Sequence, residues 1–145
     1  NTPDLMPTLL GLCGVPVPAT AQGDDWSPVA RGAAALEDNA ALIECPTPFG
    51  EWTRARGGRE YRGVRTRRHT YVRDLNGPWL LFDNEADPYQ LDNLAGKPEH
   101  AALQARLEGE LRRLLAKTGD DFQPGPSYIR MWGYAVDATG TAPIS

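Results

Sequence analysis

Hydrophobic residues at helical spacing mark the first candidate element of the chain. Leu5, Leu9 and Leu12 recur at i, i+4 and i+7 near the start. Pro3 precedes them and Gly14 follows, so the pattern predicts a short amphipathic helix. A helix of about three turns is not stable alone in water. We therefore expect its apolar face to need a partner from elsewhere in the protein.

Alternating apolar and polar positions then predict four short strands. The runs are 40–45, 60–66, 69–74 and 79–84, each rich in β-branched, aromatic or leucine residues. The intervals between the last three runs are too short for helical crossovers, which excludes parallel pairing there. The pattern therefore predicts a four-stranded antiparallel meander.

A long helix is predicted after the last strand. Residues 98–118 begin with a proline and end before Gly119, and their leucines form one stripe that we expect to pack on one sheet face. The fold class expected is α+β, a four-stranded antiparallel sheet packed against a long C-terminal helix. Residues 120–145 contain aromatic residues broken by turn residues, and we expect them to wrap the surface without a regular element. The leucines of the stripe are Leu103, Leu107, Leu111, Leu114 and Leu115.

Chain length and composition limit the possible architectures. With 145 residues the chain is too short for two ordinary domains. The sequence begins on a helix signal without Met, so we expect a piece of a longer protein, and its compartment stays open. No apolar run approaches the roughly 18 to 20 residues that span a bilayer. Cys13 and Cys45 lack metal-ligand spacing, and we expect both to be buried thiols.

Positive charge is concentrated in residues 53–73, which hold eight arginines and Glu60, although the whole chain has a net charge of -4. Strand alternation divides these arginines between the two sheet faces, and a nucleic-acid surface would need them together. We therefore expect no nucleic-acid partner. One or two arginines are better suited to a sulfate, phosphate or carboxylate group, and the alternative is pairing with acidic residues of the same chain.

An acidic turn follows the last predicted strand. Asp83, Asn84, Asp87, Asp92 and Asn93 could be oxygen ligands, but their spacing differs from that of an EF-hand loop. Asx side chains also bond to their own backbone in tight turns. We expect this turn to be structural. The two histidines stand apart, and no nucleophile elbow or phosphate loop occurs in the sequence.

Five segments in order resemble a known family. They are "PDLMPTLLGLCGVPVP", "QGDDWSP", "YRGVRTRRHTYVR", "LLFDNEADPYQLDNLAGKPEH" and "GDDFQPGPSYIRMWGY". The series resembles the C-terminal third of type I sulfatases, the formylglycine-dependent members of the alkaline-phosphatase-like superfamily. The resemblance implies that residues 1–22 are the last helix and exit linker of a catalytic α/β domain. Residues 23–145 would then form the smaller C-terminal subdomain.

The resemblance also implies where the chemistry lies. Such enzymes use calcium and a formylglycine made from Cys or Ser in a C/S-x-P/A-x-R motif. Cys13 begins "CGVPV" and Cys45 begins "CPTPF", so neither fits the motif. We assign no catalytic residue and no metal ligand to this chain. It should be inactive alone, with the missing N-terminal catalytic domain as its partner.

The loop 46–58 is the candidate substrate contact, because the C-terminal subdomain of such enzymes can contribute to the cleft rim. Trp52 could stack on an aromatic or sugar ring, while Glu51 and Arg54 could take hydroxyl or charged substituents. Arg62 at the next strand would support them; a solvated loop is the alternative. The expected substrate of the parent protein is an aryl or carbohydrate sulfate ester. Two other possibilities are a related phosphodiesterase or phosphonate monoester hydrolase, and a non-catalytic module that binds anionic glycans.

Overall fold

The chain forms two compact units in a computed structural model that describes residues 2–34, 40–138 and 140–141. The units are Asn1–Asn39 and Ala40–Ser145. The predicted boundary between residues 22 and 23, with residues 1–22 assigned to a catalytic domain, stays a prediction. Within the first unit, the Trp26 N–H donates to Thr8 Oγ1 at 3.0 Å, and the Arg31 guanidinium donates to the Gly11 carbonyl at 2.8 Å. These bonds join the connector to the first helix.

The first unit contains two short helices. A 3₁₀ turn, Thr2–Asp4, leads into α1, Leu5–Leu12, and α2 is the single turn Ser27–Ala30. The helix α1 confirms the one predicted from the leucine spacing. Leu5 and Leu9 are 62% and 61% exposed, so residues 2–34 leave the apolar face of α1 uncovered.

The second unit contains the predicted meander. Its strands are β1 (Ala40–Cys45), β2 (Tyr61–Thr66), β3 (His69–Asp74) and β4 (Gly77–Asp83). They lie in the order β1-β2-β3-β4 and every neighbouring pair is antiparallel, which confirms the prediction. The register steps from Val72–Leu80 to Arg73–Pro78, so Trp79 is the extra residue of a β-bulge.

The core lies between the sheet and the long helix. A 3₁₀ turn, Pro98–His100, opens α3, Ala101–Thr118. Strand register aligns one residue from each of β2, β3 and β4, and the leucine stripe of α3 packs on them, as predicted. Burial of such side chains is worth roughly 1.5 to 3 kcal/mol each. The buried cluster is Val64, Tyr71, Leu81, Leu107, Leu111 and Leu114.

The segment after α3 differs from the prediction made for it. It was expected to lack a regular element, but Gly125–Trp132 forms a fourth helix, α4. Pro126 lies at the start of α4, where a missing N–H costs nothing, and Gly133 ends the helix with a φ of 68°. The turn residues that argued against a helix therefore mark its two ends.

The two cysteines differ. Cys45 at the end of β1 is buried, as expected, and its thiol donates to the Thr47 carbonyl at 3.1 Å. Burial raises the pKa of this thiol. Cys13, at the end of α1, is exposed, so the expectation of burial was wrong there, because the helix face around it is uncovered.

The acidic turn after β4 uses its side chains on the backbone. Asp83 Oδ1 accepts the Glu85 and Ala86 N–H groups at 3.1 and 3.2 Å, and Asp87 Oδ2 accepts that of Asp92 at 2.8 Å. Within residues 2–34, 40–138 and 140–141, no group of three or more His, Cys, Asp or Glu residues could hold a metal ion. The hydrogen bonds of Asp83 and Asp87 to the backbone are those of a structural turn, while the expectation that it binds no metal stays a prediction.

None of the helices described is both long and apolar enough to cross a membrane.

Candidate functional site

The predicted contact loop connects β1 to β2 and is folded back on itself. It contains a 3₁₀ turn, Arg54–Arg56, which ends at Gly57 with a φ of 87°. A left-handed residue of this kind suits glycine. Gly58 is buried against the Trp52 carbonyl, at a distance that leaves no room for a Cβ atom. The two glycines therefore let the loop close beneath Trp52.

Trp52 begins a row of three aromatic side chains. Its ring meets that of Tyr61 edge to face, with centroids 5.9 Å apart. The Tyr61 ring lies 6.2 Å from that of Trp79, the bulge residue of β4. Such tilted pairs are favourable beyond their buried area. All three residues are half-buried, so part of this aromatic row stays open to solvent.

Arg59 covers one end of the aromatic row. Its guanidinium carbon lies 4.5 Å above the Trp79 ring, a cation–π arrangement. The same side chain donates to Asp74 Oδ2 at 3.1 Å and is 43% exposed. The row therefore ends in an arginine that keeps part of its charge in solvent.

Arg54 is held by a buried carboxylate. Its NH1 and NH2 groups donate to the two oxygens of Glu60 at 3.0 and 2.6 Å. Arg54 is 33% exposed, whereas Glu60 is 5% exposed. Burial by itself would raise the pKa of Glu60, but the hydrogen bonds from Arg54 and from the Gly125 N–H hold it below its ordinary value. The Glu60 carboxylate therefore stays charged beneath the loop.

Arg62 lies in the protein interior, away from the loop surface. It is 1% exposed, and its Nε donates to Asp120 Oδ2 while NH2 donates to the Tyr128 hydroxyl at 3.2 Å. Its guanidinium carbon also lies 4.8 Å from the Phe122 ring. Because Arg62 alternates with Tyr61 along β2, it faces the α3 side of the sheet. In this chain Arg62 joins β2 to the segment after α3, and its guanidinium is buried among these partners.

The four predicted site residues are thus divided between two places. Glu51, Trp52 and Arg54 share the loop, and Glu51 is exposed with its carbonyl 3.4 Å from Arg56 NH1. Arg62 is on the opposite face. Sequence reasoning missed Tyr61 and Trp79, although strand alternation already separates Tyr61 from Arg62.

A cavity of about 410 Å³ opens elsewhere, between the end of β3, α3 and the residues that follow α3. None of the four predicted residues lines it. Three of its polar lining residues already pair with one another, since Arg73 and Arg112 both contact Glu108.

A family model supplies the class of the chain. The model that describes the C-terminal part of N-sulphoglucosamine sulphohydrolase matches residues 1–117. The chain belongs to this family of C-terminal sulfatase domains.

Individual proteins similar to this chain include sulfatases and a phosphonate monoester hydrolase. An ulvan-active sulfatase from Formosa agariphila is 39% identical over 137 residues, which cover 92% of this chain and 26% of the relative. A protein solved in complex with its substrate D-glucosamine-2-N,6-O-disulfate superposes with a TM-score of 0.68 at 28% identity, over 84% of this chain and 25% of that one. A phosphonate monoester hydrolase from Silicibacter pomeroyi gives 0.63 at 28%, over 82% and 25%. The chain therefore spans about a quarter of the length of these proteins.

Proposed function

We propose that this chain is the C-terminal subdomain of a sulfatase that hydrolyses aryl or carbohydrate sulfate esters. The observation that carries the proposal is the 39% identity to an ulvan-active sulfatase over 92% of the chain. A neighbour with the same fold is bound to a sulfated glucosamine, which supports a sulfated sugar as the substrate class.

The reactive centre of such an enzyme does not fit the residues of this chain. Neither cysteine begins a formylglycine motif, and Asp83 and Asp87 of the turn after β4 accept backbone N–H groups of the same turn. Calcium and formylglycine are therefore proposed only for the catalytic domain of the parent protein, which would be the partner of this chain. We expect the 145 residues alone to be inactive.

The chain's own contribution would be the rim of the substrate cleft. Trp52 offers a half-exposed aromatic surface, and the exposed Glu51 offers a hydrogen-bond acceptor for a sugar hydroxyl. Arg54 pairs with Glu60, and the exposed third of its side chain could contact a charged substituent of the substrate. Arg62 would contribute through the fold only.

The full-length parent enzyme tests this proposal. It should be assayed with a sulfated saccharide, a small aryl sulfate and a phosphonate monoester of the same aryl alcohol. We expect the sulfate esters to have the larger kcat/KM. A preference for the phosphonate would contradict the proposal.

The phosphonate monoester hydrolase from Silicibacter pomeroyi supports a second candidate function, because it shares the fold at the same identity. The assay above separates the two enzymes. A non-catalytic module for anionic glycans is the third possibility. It predicts that the parent protein cleaves none of these substrates, while the chain binds a sulfated sugar in calorimetry.

A further inference from the structure

Glu60 is a buried carboxylate that connects two separate segments of the second unit. Its two oxygens accept from Arg54 in the loop, at 3.0 and 2.6 Å. One of them also accepts the backbone N–H of Gly125, the first residue of α4, at 2.7 Å. The bond to Gly125 spans 65 residues of sequence. Glu60 therefore fixes the loop to the start of a helix formed much later in the chain.

The contacts of Glu60 with Arg54 and Gly125 depend on the negative charge of its carboxylate. A buried carboxylate is stable only when donors surround it, and forked guanidinium contacts are among the strongest donors in proteins. The N-terminus of α4 adds a favourable helix dipole. If glutamine replaces Glu60, its amide oxygen could still accept from Gly125 and Arg54 NH2, but its NH2 group would face Arg54 NH1. Arg54 would then lose the forked ionic contact that holds it in place.

The space around Gly125 admits no side chain. A Cβ atom there would lie 2.6 Å from Glu60 Oε1, 3.0 Å from the Pro46 carbonyl and 3.1 Å from Arg54 NH2. Backbone and ion pair thus occupy all the space beside this residue. A methyl group at position 125 would displace the Glu60–Arg54 pair from the helix side.

Trp52 is connected to the Glu60–Arg54 pair through the loop backbone. It is two residues before Arg54, and its carbonyl packs on Gly58, two residues before Glu60. Movement of the Glu60–Arg54 pair would therefore be transmitted to Trp52 from both sides of the 3₁₀ turn.

We propose that Glu60 is a positioning residue for substrate selection, which sets the place of Trp52 by holding Arg54 and the start of α4. The inference rests on the proposed role of the loop as the cleft rim. It extends that role by making recognition of the leaving group depend on a residue that touches no substrate.

The experiment uses the full-length parent enzyme with Glu60→Gln. KM is compared for a bulky sulfated disaccharide and a small aryl sulfate. We expect KM for the disaccharide to rise about tenfold, while KM for the aryl sulfate stays within about twofold. Glu110→Gln is the matched control, because it breaks the Glu110–Arg113 pair on the surface of α3. It should leave both substrates unchanged.

Gly125→Ala provides a second variant that leaves both members of the ion pair in the sequence. It should raise KM for the disaccharide in the same direction. An equal loss on both substrates, or no loss on either, would overturn the inference. Equal loss would show that Glu60 serves stability alone.

Trp52→Ala, measured in parallel, separates this inference from the proposed function. If Trp52→Ala reduces use of the disaccharide and the Glu60 and Gly125 variants do not, the positioning role fails and the rim remains. If Trp52→Ala has no selective effect, the rim proposal fails, and the positioning role fails with it.

Discussion

The Tyr71 hydroxyl donates a 2.9 Å hydrogen bond to Glu108 Oε2, joining the centre of the sheet to the middle of α3. Burial and the neighbouring carboxylate raise the pKa of Tyr71, so the phenol stays protonated and remains a donor. Arg73 and Arg112 also donate to Glu108, at 2.7 and 3.0 Å. This polar contact adjoins the apolar core and fixes the position of the helix along the sheet.

Tyr71→Phe should lower the free energy of unfolding by about 1 kcal/mol, because it removes one hydrogen bond and keeps the buried ring. Glu108→Ala should cost more, since it also leaves Arg73 without its carboxylate. Urea denaturation of the single and double variants measures the coupling between Tyr71 and Glu108. Additive effects would show that the contact contributes nothing.

Lowering the pH should reduce the stability that Asp83 contributes to the turn after β4. Hydrogen bonds from Arg68, with help from the Ala86 and Glu85 N–H groups, lower the pKa of Asp83 to about 2 from 3.8. A carboxylate with a depressed folded-state pKa stabilises the protein above its unfolded pKa. That contribution is lost as the pH falls from about 4 to about 2.

The test compares Asp83→Asn with the original chain in unfolding experiments at several pH values. The asparagine keeps an acceptor for the turn but cannot titrate. The stability difference between the two proteins should be constant above pH 4 and should shrink at lower pH. An unchanged difference down to pH 2 would contradict the assignment.

Asp87→Ala should lower stability by about 1 kcal/mol, because it removes the acceptor of the Asp92 N–H. The loss should be the same in calcium and in a chelator, as measured by thermal unfolding. A larger loss in calcium would indicate that the turn is a metal site after all.

Arg62→Met should destabilise the second unit by about 3 to 5 kcal/mol, since it leaves the carboxylate of Asp120 without its main partner. The double variant with Asp120→Leu should recover part of the loss. Chemical denaturation measures both. If Arg62→Met alone is neutral, the pair does not anchor the segment after α3.

Trp52→Ala in the full-length enzyme should lower kcat/KM for bulky sulfate esters and spare small ones, because only a bulky leaving group would reach the rim. Steady-state assays with a disaccharide sulfate and a phenyl sulfate measure the effect. Equal effects on both substrates would remove Trp52 from the proposed rim.

Local patterns were sufficient for the sheet and for α3, because alternation and leucine spacing report directly on which face is buried. They failed for α4, where Pro124, Gly125 and Pro126 were interpreted as turn residues. These residues in fact mark the start of the helix, with Pro126 in its first turn. The Gly125 N–H also donates to Glu60, a distant partner that no local pattern reveals. The role of Arg62 was missed for the same reason, since its carboxylate partner is 58 residues away.

The 58 residues of sequence between Arg62 and Asp120 also affect the order in which contacts can form while the chain is synthesised. The hairpins of β2, β3 and β4 need only neighbouring residues and can pair early. Until Asp120 is made, the guanidinium of Arg62 has the exposed carboxylate of Glu44 at 3.6 Å and the Tyr61 carbonyl at 2.9 Å as neighbours. A chain that ends before residue 120 would therefore leave the guanidinium of Arg62 without the Asp120 carboxylate that it pairs with in the complete unit.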